Sequence, residues 1–250
     1  MSNGYTATAD YEHLDVALKS YWPAYLELKK EVDQFVPRSL SEFDEEREKT
    51  AARLMSLNPN MPSEEAHRKA ADIISGNTSP EWQFFARFSS RIMTLYVTVA
   101  LLSQALCEAE INAILAVGLY EAGKAEKFSK IERKNLLEKW EKCPKLICDE
   151  YELSKTSGLY ESIQHLMAQR NSWMHHKIEL SVDDQVVVTG SRQELPTYQD
   201  YLYWVRRYFC LPYDLAGHIF EQTHHMIPAM LIYKRNPIPV ADEHKSDVVR

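Results

Sequence analysis

The sequence predicts an all-α protein, and three observations predict it. Glycine is scarce, 7 in 250 residues, while Leu, Ala, Glu and Lys are frequent, a composition that favours helix. Phe85, Phe88, Ile92, Leu95, Val99, Leu102, Leu106, Ala109 and Ala113 recur at alternating steps of three and four, the seam of a long helix packed in a bundle. Capping and stop signals punctuate the chain at helical intervals.

The elements follow in order. Leu14, Leu18, Tyr21, Tyr25 and Leu28 mark a helix from about Tyr11 to Phe35, which Pro23 kinks or splits and Pro37 ends. Ser39-Leu-Ser-Glu42 reads as a capping box for a polar helix running to about Leu57. Pro62-Ser63-Glu64-Glu65 opens a short helix that stops at Gly76. The clearest internal break is Gly76-Asn-Thr-Ser-Pro80, where Ser79 can cap the long helix and Pro80 take its first position. That helix continues to about Leu119 or Tyr120.

A second bundle helix is predicted from Glu126 to Lys142, with Phe128, Ile131, Leu136, Leu137 and Trp140 on its apolar side. A third runs from about Gly158 through Trp173. Ile178–Val182 and Gln185–Thr189 flank Asp183-Asp184 and read as a small β-hairpin. Thr197 can cap a fourth long helix, from Tyr198 to about His225, bent near Pro212. The polar tail from Asn236 reads as flexible. The expected organisation is an N-terminal helical extension over 1–78, a helical domain over 79–235 and a tail over 236–250.

A net charge of −7 argues against binding nucleic acid over a broad basic face, but leaves room for a local site holding one or two phosphates. No signal peptide and no run of apolar residues long enough to span a membrane is visible, so the expected location is the cytoplasm. Cys107, Cys143, Cys148 and Cys210 suit a reducing compartment and lack zinc-site spacing. His218, His224 and His225 share one helix without a partner carboxylate at helical spacing other than Glu221. No metal and no cofactor is expected.

One cluster reads as a site: Arg170-Asn171-Ser172-Trp173-Met174-His175-His176, with Lys177 following as a further cation that can meet substrate. Arg170 follows Leu166 and Met167 on or beside the buried side of its helix, and His175 lies about 140° round from it. A guanidinium can hold a phosphate through two parallel hydrogen bonds. An imidazole near its ordinary pKa can move a proton at neutral pH. Together they suit cleavage of a phosphodiester by its own neighbouring 2′-hydroxyl, which makes RNA the substrate. The competing reading has Arg170 bridging to Glu108 or Glu110, with the histidines at the helix C-terminus where cations are favoured. Lys127, Lys130 and Lys134 form a basic stripe that can guide RNA or simply face solvent. Arg206-Arg207 is open in the same way.

Arg170-Asn171-x-x-x-His175 resembles the Arg-polar-x-x-x-His signature of the HEPN superfamily, helical domains of many prokaryotic toxins and antiviral ribonucleases. The order of helices is similar too, so the resemblance covers about residues 82 to 230. It implies a bundle of four to five helices and metal-independent endoribonuclease activity. It also implies a composite site formed when two such domains pair as a homodimer, and toxin or antiviral work with a neutralising antitoxin as a further partner. Carried onto this chain, Arg170 holds the phosphate, His175 transfers the proton and Asn171 orients them. The tandem His175-His176 leaves the choice of histidine open, and the predicted hairpin departs from the pattern. The alternative is a non-catalytic helical module that uses the same bundle to dimerise or bind a partner.

Overall fold

The computed structural model describes residues 11–76, 79–174, 180–182, 185–188 and 197–223. These are overwhelmingly helical: α1 (Tyr11–Ser20), α2 (Trp22–Gln34), α3 (Leu40–Leu57), α4 (Ser63–Ser75), α5 (Pro80–Glu121), α6 (Phe128–Ile131), α7 (Leu136–Lys142), α8 (Gly158–Met174) and α9 (Tyr198–Thr223). Two short strands, β1 (Leu180–Val182) and β2 (Gln185–Val188), pair antiparallel between α8 and α9. The chain forms two compact units, one of residues 1–25 and 95–250, the other of residues 26–94. Their boundaries fall inside α2 and α5 and not at the Gly76–Pro80 break.

In the unit of residues 26–94, α3 starts on a complete capping box. The Ser39 hydroxyl accepts from the Glu42 amide and the Glu42 carboxylate accepts from the Ser39 amide. Fully buried Ala51, Ala66 and Ala70 let α3 and α4 approach closely, and Leu54, Met55 and Met61 pack around them. Arg38 ties the unit together. Its guanidinium donates to both Glu81 carboxylate oxygens, to Glu46 and to the Ile74 carbonyl. That cation holds the Glu81 carboxyl down to about 2. Phe35 stacks on Phe84 with ring centres 4.0 Å apart.

In the other unit, Val99, Leu106, Ile111 and Leu115 of α5 are fully buried, as are Trp140 of α7, Ile163 and Leu166 of α8, and Val205, Tyr208, Leu215 and Ile219 of α9. The N-terminal helices join this core: Trp22 meets Phe209 edge-on at 5.1 Å, and the Tyr213 hydroxyl donates to Asp15 at 2.5 Å. Lys139 is fully buried and reaches Glu108 at 2.7 Å, an ion pair that joins α7 to α5.

Three expectations need correction. Phe85 is 47% exposed, and its neighbour Phe84 is buried in its place. Downstream, the buried side of α5 rotates from Ala109 and Ala113, which are only half-buried, onto Ile111, Ile114 and Leu115. A pattern of strict three–four steps drifts about 20° per heptad on a straight helix, so it slides off the core over this length. The helix expected from Glu126 to Lys142 is broken into a 3-10 turn at Ala125–Lys127, α6 and α7. Asn135 breaks it, because its side chain accepts from the Glu138 amide at 2.9 Å and so caps a new start. Finally, α5 does contain a stretch apolar and long enough to cross a membrane, contrary to the reading of the sequence. Much of it is core: Phe88, Ile92, Val99, Leu106 and Cys107 are buried.

Candidate functional site

The site residues begin on the last turns of α8. Ser157 starts that helix, its hydroxyl accepting from the Tyr160 amide at 3.2 Å. Arg207 of α9 braces the same end by donating to the Gly158 carbonyl and the Ser162 hydroxyl, both at 2.9 Å. Along α8, Ile163 and Leu166 fill the core and Met167 faces α7, where its sulfur lies 3.3 Å from the Leu137 amide.

Arg170 continues the azimuth of Ile163 and Leu166 yet is exposed, as is Asn171 beside it. The packed core therefore ends one turn before the helix does, and the expectation of a buried-side Arg170 holds for the azimuth and not for the burial. The guanidinium Nη1 lies 3.5 Å from the Asn171 side-chain oxygen, too long for a strong bond but close enough to keep the two groups together. Among the described residues Arg170 forms no ion pair. Glu108 is engaged with Lys139, and Glu110 is fully buried. His175, His176 and Lys177 lie outside the described residues, as do His224, His225 and the tail from Asn236.

The remaining candidates have structural work. Lys134 pairs with Glu138 and lies in the turn before α7, so Lys127, Lys130 and Lys134 do not form one helical stripe. Arg207 braces α8. His218 lies 3.0 Å from the Glu152 carbonyl, beside Gln222, which bonds the same segment. Cys107, Cys143 and Cys210 are buried free thiols, and burial pushes the Cys210 thiol up to about 12. Among the described residues no three His, Cys, Asp or Glu side chains converge.

One constellation escaped the reading of the sequence. His165 of α8 lies flat on Trp204 of α9, ring centres 3.5 Å apart and planes within 10°. Its Nδ1 is 2.7 Å from the hydroxyl of fully buried Tyr208, which is in turn 3.4 Å from the Tyr96 hydroxyl. Its Nε2 lies 3.5 Å from the Gln169 amide nitrogen. Tyr96 also meets Trp173 and Tyr201 edge-on, at 5.5 and 5.2 Å. Burial pushes the His165 imidazole down to about 4, so it is neutral at physiological pH, and pushes Tyr96 up to about 12. The signal was present as Tyr201, Trp204 and Tyr208 at helical spacing on α9, facing an isolated histidine on α8.

The comparisons can now be stated. No family model, no curated protein and no solved structure matches this chain. The functional reading therefore rests on the residues themselves. An exposed guanidinium with an amide beside it, at the open end of a well-braced helix, can hold a phosphate oxygen in water-accessible space.

Proposed function

We propose that this chain is a metal-independent endoribonuclease of HEPN type, acting as a homodimer in toxin or antiviral defence. One observation carries the reading: Arg170 stands exposed beside Asn171 at the end of α8, without an ion-pair partner among the described residues. A cation used only for packing would be neutralised by a neighbouring carboxylate, and the nearest sequence candidate, Glu108, is committed to Lys139.

In the proposed reaction the RNA 2′-oxygen attacks the adjacent phosphorus while the bond to the 5′-oxygen breaks. The products are a 2′,3′-cyclic phosphate and a 5′-hydroxyl. Arg170 binds the non-bridging oxygens and stabilises the charge that grows on them. His175 takes the proton from the 2′-hydroxyl, and the leaving 5′-oxygen gains one. Asn171 holds the guanidinium in line. No metal or cofactor enters any step.

The test is incubation of the pure protein with single-stranded RNAs in excess chelator. Cleavage that yields cyclic phosphate ends and disappears in both Arg170→Ala and His175→Ala is the expected result. Activity abolished by the chelator and restored by one added metal would overturn the metal-independent mechanism. RNA left intact by the wild-type dimer would leave the non-catalytic module as the reading of the fold.

A further inference from the structure

The His165–Trp204 stack has the construction of a binding surface. Trp204 is half-buried, and among the described residues its only parallel stacking partner is His165. The plane of that pair is fixed from behind. His165 is held by Tyr208, Tyr208 is fully buried, and Tyr96 closes the chain of hydroxyls. Tyr203, 54% exposed, stands against Trp204 at 5.1 Å and 79°, forming a wall at the ring's edge. An indole whose orientation is locked loses little freedom when a flat ligand lies on it.

Position selects the ligand. Arg170 is five residues beyond His165 on the same helix, about 7.5 Å along its axis, roughly the reach of one extended nucleotide. We propose that Trp204, with Tyr203 at its edge, is a stacking platform for an unpaired nucleobase adjoining the phosphodiester that Arg170 holds. The proposal rests on the ribonuclease reading for the phosphate partner and narrows the substrate to single-stranded RNA. A base within a duplex is already stacked on both faces and cannot lie on the indole. Stacking of this kind is tolerant of base identity, because every base presents a π-face.

Binding can be measured apart from cleavage. A labelled single-stranded oligodeoxynucleotide lacks the 2′-nucleophile and stays intact, and fluorescence anisotropy with the full chain reads its affinity. Trp204→Ala should weaken binding about 5- to 150-fold, as loss of one stacked base predicts, while Trp204→Phe retains most of it. The same oligonucleotide annealed to its complement should bind more weakly than the single strand. A second measurement needs no variant: a 5-bromodeoxyuridine oligonucleotide, irradiated on the wild-type protein, should cross-link to the peptide carrying Tyr203 and Trp204. Equal affinity of wild type and a folded Trp204→Ala, a duplex bound as tightly as the single strand, or cross-links found only on other peptides would each overturn the platform. Absence of any binding would do the same. RNA cleavage that persists with unaltered binding in Trp204→Ala removes the platform and leaves the ribonuclease reading standing. Platform-dependent binding without any RNA cleavage does the reverse.

Discussion

Arg170 and Asn171 matter because of where they stand, at the one part of α8 where the core azimuth emerges into solvent. Under the proposed mechanism, Arg170→Ala removes a transition-state contact and should slow RNA cleavage about 10²–10³-fold, in line with loss of an oxyanion-type donor. His175→Ala should cost roughly 10²–10⁴, and His176→Ala much less. Lysine at position 170 should restore little, since an ammonium lacks the planar fork. Single-turnover cleavage, with circular dichroism to verify folding, checks all four; loss confined to His176→Ala would move the proton transfer by one residue. His165 yields a prediction of stability. Its folded-state value of about 4 lies below the ordinary 6.5, so between those values the unfolded chain binds a proton that the folded protein does not. Stability should therefore fall as pH is lowered from about 6.5 towards 4. His67 has the opposite sign: the Glu48 carboxylate raises it, so its contribution is lost as pH rises. His165→Phe keeps a ring on Trp204 and removes the titration. Its urea midpoint should depend less steeply on pH across that window, and an unchanged slope would show that His165 is not the group responsible.

The elements owe their ends to single side chains. Ser39 with Glu42 starts α3, Asn135 starts α7, Ser157 starts α8, and Thr197 with Asp200 starts α9. Each satisfies backbone amides that the first turn leaves without partners. Asn135→Ala should cost about 1 kcal/mol, measured as a lower midpoint in chemical denaturation, and Asn135→Gly only a few tenths. The cost should be felt beyond α7, because that short helix carries Trp140 and the buried Lys139 into the core. Equal midpoints for wild type and Asn135→Ala would mean that packing alone sets the start of α7. Close packing limits other positions. A methyl group added at Gly118 would lie 2.7 Å from the Ile147 side chain, and one at Gly158 would lie 2.9 Å from the Arg207 guanidinium. Gly118→Ala should accordingly destabilise by about 1–3 kcal/mol, the usual cost of overpacking a core.

For the whole molecule the proposed site is composite, so a second copy is required. Light scattering at micromolar concentration should give about twice the chain mass of 29.0 kDa. A monomeric mass would remove the two-copy site, though Arg170 would remain exposed in each chain. Under the same scheme, mixing Arg170→Ala and His175→Ala chains should reveal whether the two copies pool their groups: recovery of cleavage by the mixture requires exchange of residues across the pair. The arrangement into two units means that changes around Arg38 should report on residues 26–94. Arg38→Ala, which loses bonds to Glu81, Glu46 and Ile74, belongs to that unit and not to the proposed site.

The sequence by itself determined the helices, because their information is local. Steps of three and four, Ser39, Ser79 and Thr197 as caps, and Pro23 next to the break at Tyr21 all act within a few residues of where they stand. It also located the Arg170–Asn171 pair, whose chemistry lies in the residue types. Tertiary structure decided what depends on partners distant in sequence. It put Glu108 with Lys139 instead of Arg170, ended the core before the last turn of α8, and rotated the buried side of α5. It also laid His165 on Trp204 across 39 residues of chain, with Tyr96 joining from a third helix. A periodic pattern says which side of a helix is apolar. Only packing between helices says which side chain meets which, and how far along the helix the burial extends.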